Sequence, residues 1–412
     1  MKIAIVNPYS AMPGESWAPY RSEYLARALE IAGHQTDILV SHLEHRRQFR
    51  RGKRDVSGRQ TAYIVQKYGF ISSYDNTGLS RAFFEFQYSL YFLFFYFLKN
   101  KILRRKLPDI VILAEPSPVS STLVHLLLRI FRSKSLVVYD VLDLFPEGYW
   151  ESKSTFIMKK HATRVLKKLR SVKLKRADGL VFCSVEYERS LKGDNKFQTI
   201  YIGSEKPPMV APSEFAKAHP LLEGWLKKNQ NPIILYCGTL GKGYGLDKFL
   251  QNYAASPSLN SKFRVVIAGS GPPKVEMQLN EITRNFSEKV MFCGPVRYEH
   301  LPQLFEISDF GLICYEVGSS VSMPLKFFDY VTHGLPMLNN STGEAAKIIE
   351  DYNLGVNVPS GDWTLLDDQL VGFRREEANF DLLANSFRPN HMYRGYVSFL
   401  EELDQRKQDD KQ

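Results

Sequence analysis

The sequence predicts two Rossmann-like, doubly wound α/β domains. Three observations carry this. Short apolar runs alternate with helical patterns along the chain. The runs are β-branched or leucine-rich and unalternated, as in parallel strands buried on both faces. A proline-rich break at 205–231 separates two such series. The 412 residues suffice for two cores. With 44% hydrophobic and 24% charged residues, the chain is not a disordered one.

In the first series, Ile3 to Val6 reads as a strand, Arg21 to Ala32 as a helix and Thr36 to Val40 as the next strand. Ile110 to Ala114, Leu136 to Asp140 and Gly179 to Cys183 follow as strands. In the second series the strands are Ile233 to Cys237, Arg264 to Ala268, Lys289 to Cys293, Phe310 to Cys314 and Pro336 to Asn339. The domains are expected at 1–204 and 232–388, with 205–231 as linker. At 389–412, a helix packing back on the first domain and a polar tail are expected. Open α/β sheets bind ligands at the carboxyl ends of their strands, so both sheets are expected to face a shared cleft.

The N-terminal apolar run is too brief for a signal peptide and lacks a cleavage site. The longest greasy stretch, Leu90 to Leu98, falls short of the ~20 residues of a spanning helix. The expected location is cytoplasmic, peripheral on the inner face of the plasma membrane. The four cysteines each end an apolar run and none pairs as Cys-x-x-Cys, so they read as buried thiols and no metal site is expected.

The loops of the second series are the candidate binding elements. "CGTLGKGYG" follows a strand and opens a helix, so Gly238, Thr239, Gly241 and Lys242 can approach phosphate oxygens. The spacing is not that of a Walker loop. "AGSGPP" supplies Gly269, and "FCGPV" supplies Pro295 and Val296, whose exposed main chain can meet a base. In "SMPLKFFDYVTHGLP", Ser322 and Pro324 mark a helix start. Lys326 and Asp329 then share a face. The first suits a diphosphate and the second ribose hydroxyls.

These runs, with "SDFGLICY" and "GEAAKIIEDYNLGVNVPSGD", resemble the C-terminal half of family-4 glycosyltransferases of GT-B architecture, of the bacterial envelope polysaccharide type. The resemblance covers roughly Pro232 to Asp362. It implies a nucleotide-sugar donor in the second domain, UDP-sugar favoured, and transfer with retention. It implies no metal and no cofactor, since Lys242, Lys326 and a helix N-terminus can stabilise the leaving diphosphate. Two departures stand out. Thr239 follows the glycine where many members have Arg. Of two glutamates eight positions apart, the second falls on Asp329 and the first on Val321. These departures fall on the ribose and sugar contacts. They leave two alternatives: an inactive scaffold subunit partnering other glycosyltransferases, or a nucleotide-sugar epimerase of the same fold.

On the acceptor side, Gly14, Glu15 and Arg21 follow the first strand in a loop that resembles the family's cleft loop. "DVLDLFPE" resembles an Asp–aromatic–Pro–Glu motif. There Asp143 is the first choice as a catalytic group, beside Lys242 and Lys326, and Glu147 the second, as an acceptor contact. The formal net charge is +10, yet Arg81 to Arg176 alone carries 19 Lys and Arg against 7 Asp and Glu. Aromatic residues beside these cations suit an anionic membrane surface. No recognised nucleic-acid motif accompanies them, so no nucleic acid is expected. The acceptor is expected to be lipid-linked or another envelope glycan.

Overall fold

Hydrophobic runs at the predicted positions form two parallel sheets in the computed structural model. It describes all residues except 14, 16–20, 45–48, 53, 75–77, 148–156, 229, 371–372 and 410–412; the side chains of 157–162 and 242 are also left undescribed. The chain divides into two units. The first is Met1–Tyr201 with Asn390–Gln412, and the second is Ile202–Pro389.

The first unit holds β1 (Lys2–Val6), β2 (Gln35–Val40), β3 (Val56–Ser57), β4 (Thr61–Val65), β5 (Ile110–Glu115), β6 (Leu136–Val141), β7 (Gly179–Phe182) and β8 (Phe197–Thr199). Their spatial order is β3-β4-β2-β1-β5-β6-β7-β8. All neighbours are parallel except the β3–β4 edge pair. The helices are α1 (Arg21–Ile31), α2 (Leu79–Tyr91), α3 (Pro118–Ile130) and α4 (Ile157–Lys175). From β4 through β7 the chain crosses the sheet in one direction, so right-handed crossovers place α2, α3 and α4 on one face. The β1-to-β2 crossover runs the other way and places α1 opposite. Contacts agree. Glu85 of α2 accepts from the Val119 and Ser120 amides that open α3 (2.8 and 3.1 Å), and Lys173 of α4 donates to Ser121 of α3 (2.9 Å).

The second unit holds β9 (Ile233–Cys237), β10 (Arg264–Ala268), β11 (Val290–Gly294), β12 (Phe310–Ile313), β13 (Met337–Asn339) and β14 (Gly355–Asn357). All are parallel, in the order β11-β10-β9-β12-β13-β14. Its core joins Tyr236, Phe249, Val265, Leu312, Leu338 and Trp363. Helix α5 (Leu325–His333) follows β12.

Segment 205–231, expected as linker, is part of the second unit. Pro212 and Pro220 open two short helices, where proline's missing amide costs nothing. Phe215, Leu222 and Trp225 are buried. The Arg264 guanidinium lies 4.5 Å from the Trp225 ring. The final helix, α6 (Pro389–Asp409), buries Tyr393, Tyr396 and Leu400 in the core of the first unit, beside α1. No helix among the described residues is long and apolar enough to cross a membrane.

Candidate functional site

Three loops at the carboxyl ends of β9, β10 and β11 are stitched by main chain. The Gly238 amide donates to Ala268 O (2.8 Å), the Leu240 amide to Ser270 O (2.9 Å) and the Gly269 amide to Gly294 O (2.8 Å). This close approach is what the glycines permit. A Cβ at Gly269, where φ is +148°, would lie 1.8 Å from Gly238 O; one at Gly271 would lie 1.9 Å from Leu240 O. The amides of Gly238 and Gly269, expected at a phosphate, are therefore spent on holding loop to loop. Thr239 accepts from the Tyr236 hydroxyl (2.6 Å), and the Gly241 carbonyl accepts from the Tyr244 amide (3.2 Å). Pro295 is exposed and Val296 buried beyond β11. The side chain of Lys242 lies outside the described residues.

Lys326 is the second residue of α5 and only 7% exposed. Its Nζ lies 4.6 Å from the ring centroids of Tyr236 and Tyr244 and 5.7 Å from that of Tyr315. Gly238 makes room for it: a Cβ there would sit 3.0 Å from the lysine Cε and 3.3 Å from Nζ. Among the described residues, no hydrogen bond or ion pair reaches this ammonium. Burial lowers its pKa, opposed by Cys314, Cys237 and Asp329. Three aromatic faces offset part of the desolvation, on the order of 2 kcal/mol. Taking a cation out of water costs several kcal/mol. Among the described residues, the site thus holds positive charge without a counter-charge at bonding distance.

Asp329, one turn on, is half-buried and accepts from the Ser204 hydroxyl (2.7 Å). Burial raises its pKa to about 6, opposed by the Ser204 hydrogen bond and by Lys326. The next turn ends in His333, whose Nδ1 meets Asp329 O at 2.8 Å while burial lowers its pKa to about 4. Just before α5, the Ser322 hydroxyl is buried with no hydrogen-bond partner among the described residues. Helix start, orphan hydroxyl and unpaired ammonium thus lie together, within one turn of α5.

In the first unit, three expected acceptor contacts are committed elsewhere. Arg21 donates through Nε and Nη2 to Asp140 (both 2.8 Å at closest) and through Nη1 to Ile200 O and Tyr201 O (2.7 and 3.2 Å). The rings of Tyr393 and Tyr396 flank it at 5.7 and 5.6 Å. It is a clamp joining α1, β6, the exit of β8 and α6. Glu15 accepts from Arg51 (2.7 Å) and from the Met12 amide (2.9 Å). Glu147 accepts two bonds of 2.7 Å from Arg170. Asp143 is half-buried after β6 and accepts from the Leu144 amide (2.8 Å). Gly14 lies outside the described residues.

Sequence reasoning missed the tyrosine cage and Ser204. A signal for the cage exists: Tyr236 sits in "LYC" at the end of β9 and Tyr315 in "ICY" after β12, two neighbouring strands. Nothing in the sequence singles out Ser204.

Residues 221–377 match the family described as glycosyl transferases group 1. An alpha-D-kanosaminyltransferase from Streptomyces kanamyceticus is 22% identical over 133 residues, which span 32% of this chain and about a third (33%) of that relative. Among solved structures, a sucrose-phosphate synthase from Thermosynechococcus elongatus has a TM-score of 0.70 at 12% identity, covering 99% of this chain and 98% of that one. A trehalose-6-phosphate protein from E. coli bound with UDP-2-fluoro glucose has a TM-score of 0.66 at 15% identity, with coverage of 98% and 99%. An Anabaena protein, HepE, in complex with UDP has 0.60 at 13%, with coverage of 98% and 100%. The chain therefore has the GT-B fold, and its match to the glycosyl transferases group 1 family lies at residues 221–377.

Proposed function

We propose that the chain transfers a sugar from a nucleotide-sugar donor, a UDP-sugar by preference, to a lipid-linked or other envelope glycan, with retention of configuration. The observation that carries this is the buried, unpaired ammonium of Lys326 at the start of α5. A diphosphate at that place supplies the missing counter-charge and meets the first amides of α5. As the bond to the sugar breaks, charge grows on the leaving diphosphate. Lys326 and the helix start stabilise it from fixed positions. Asp143 orients the acceptor hydroxyl or takes its proton. The UDP-2-fluoro glucose bound by one neighbour and the UDP bound by another support the donor class. The enzyme works in the cytoplasm, at the inner face of the plasma membrane.

A thermal-shift screen against UDP-, GDP-, ADP- and TDP-sugars tests the site. A donor at about 100 times its dissociation constant adds roughly 2.7 kcal/mol of stability. Lys326→Ala abolishes that gain; an equal gain in the variant refutes the assignment.

A second reading is favoured by Val321 and by the engagement of Asp329 with Ser204. In it the chain is an inactive scaffold subunit of a glycosyltransferase complex. Donor binding without turnover, together with co-purification of an active glycosyltransferase, supports that reading.

A further inference from the structure

We propose that the outer face formed by α2, α3 and α4 of the first unit is a docking surface for an anionic lipid bilayer. The proposal deepens the reading of a membrane-borne acceptor and draws its purpose, not its test, from that reading.

A helix on the surface of a water-soluble domain turns polar residues outward. Helix α2 does the reverse. Its outward line is Leu79, Phe83, Phe86, Leu90 and Phe94, spaced by four, three, four and four residues and 37–90% exposed. The helix continues as a π-helical turn, Phe92–Leu98. There Phe92 and Phe97 are buried while Phe94 and Phe95 both face out, 54% and 48% exposed. The neighbouring helices extend the patch. Leu126 and Ile130 of α3 are 50% and 60% exposed; Val165 and Leu169 of α4 are 57% and 59% exposed. The three helices lie side by side, as the Glu85–Val119 and Lys173–Ser121 bonds require. A contiguous apolar layer of this kind marks a binding surface.

Charge decides what binds. Beyond α2, Lys99, Lys101, Arg104 and Arg105 are exposed and form no ion pair among the described residues. Arg164, Lys168 and Lys175 of α4 are exposed as well. Among the described residues, acids of this layer are used internally: Glu85 by Arg81, Glu115 by Lys173 and Glu147 by Arg170. The face is thus aromatic and aliphatic with cations of a single sign. A second copy of the chain would bring the same sign and be repelled. Lysine is depleted in protein interfaces, whereas phenylalanine with lysine and arginine suits the headgroup region of an anionic bilayer.

Co-sedimentation of the full chain with phosphatidylcholine vesicles, with and without phosphatidylglycerol and without sugar donor, tests this. The chain is expected to bind vesicles containing phosphatidylglycerol and to leave them as salt rises. Lys101→Ser/Arg104→Ser/Arg105→Ser lowers that partition by about 100-fold, three cations at the strength a surface charge has near anionic lipid. Phe83→Ser/Phe86→Ser/Phe94→Ser lowers it at least as far, because the inserted rings are lost. Wild-type protein that ignores both kinds of vesicle, or variants that bind like wild type, overturns the proposal. So does a wild-type dimer that the phenylalanine variant converts to monomer, since the face would then belong to a second copy. Donor-induced stabilisation persists in both variants, so failure here and failure of the donor site give separate results.

Discussion

In the first unit, Arg21, Arg51, Arg81 and Arg170 each meet a carboxylate at distances between 2.7 and 3.1 Å. In the second, Lys326 is as deeply buried but meets three tyrosine rings and, among the described residues, no carboxylate at bonding distance. A buried charge with a full set of partners has finished its work on folding. A buried charge lacking one has been kept at a cost, and that cost is recovered when an anion arrives. The contrast separates scaffold from site more sharply than residue type does, since both regions are rich in the residues that catalysis uses.

The largest test breaks a finished pair. Arg21→Met strands the Asp140 carboxylate in the core and is expected to cost about 3–5 kcal/mol in urea unfolding. Replacing both, as Arg21→Met/Asp140→Leu, recovers most of the loss, because an apolar pair of similar volume needs no solvation. If the single variant is neutral, Arg21 is not a clamp and an acceptor role reopens.

Next is Asp329. Its folded pKa, about 6, lies above the ordinary value of 3.8. The folded state therefore holds the proton more tightly between these values. Stability from this group is full below pH 4 and lost as pH rises through 6, by about 3 kcal/mol at pH 7. Asp329→Asn keeps an acceptor for Ser204 and removes the charge. It is expected to flatten the profile and to stabilise the ligand-free protein at pH 7. A profile with the wild-type slope contradicts the assignment.

Lys326→Met sharpens the comparison from the other side. Removing an unpaired buried cation is expected to raise ligand-free stability by about 2 kcal/mol. The same change erases donor-induced stabilisation. A variant less stable than wild type without donor would show that the ammonium has a partner, and the contrast with the first unit would fail.

Much of the fold was legible because parallel strands buried on both faces spell continuous apolar runs. Residues Ile233 to Cys237 and Arg264 to Ala268 form strands with the expected limits. The edges were not legible. Residues Val56–Ser57 pair antiparallel over two residues, and Thr61–Val65 alternates buried with half-buried positions. Phe197–Thr199 is only three residues long. The prolines of 205–231 signal a break in the sequence, yet two of them start helices. In the site, Lys326 and Asp329 were legible from helical spacing. Their surroundings were not, since Ser204 lies 125 positions from Asp329 and Asp140 lies 119 from Arg21. Pairing across such separations is set by topology and has no local signature, so finished and unfinished charges look alike in the sequence.

The smallest expected effect tests how the second unit holds its acid. At pH 7 Asp329 is mostly ionised, and a hydrogen bond from a hydroxyl to an ionised carboxylate is worth about 1.5 kcal/mol or more. Ser204→Ala is therefore expected to cost about 1.5 kcal/mol at pH 7. At pH 5 the carboxyl is protonated, the bond is neutral, and the cost falls below about 1 kcal/mol. Unfolding at the two pH values distinguishes this from a packing effect, which is indifferent to pH. The direction also follows from linkage: losing the donor removes a hydrogen bond that lowers the Asp329 pKa, so the titration midpoint moves up in the variant. An equal cost at both pH values would mean that Ser204 supports the start of the second unit by shape alone, and that Asp329 stays ionised, or neutral, without its help.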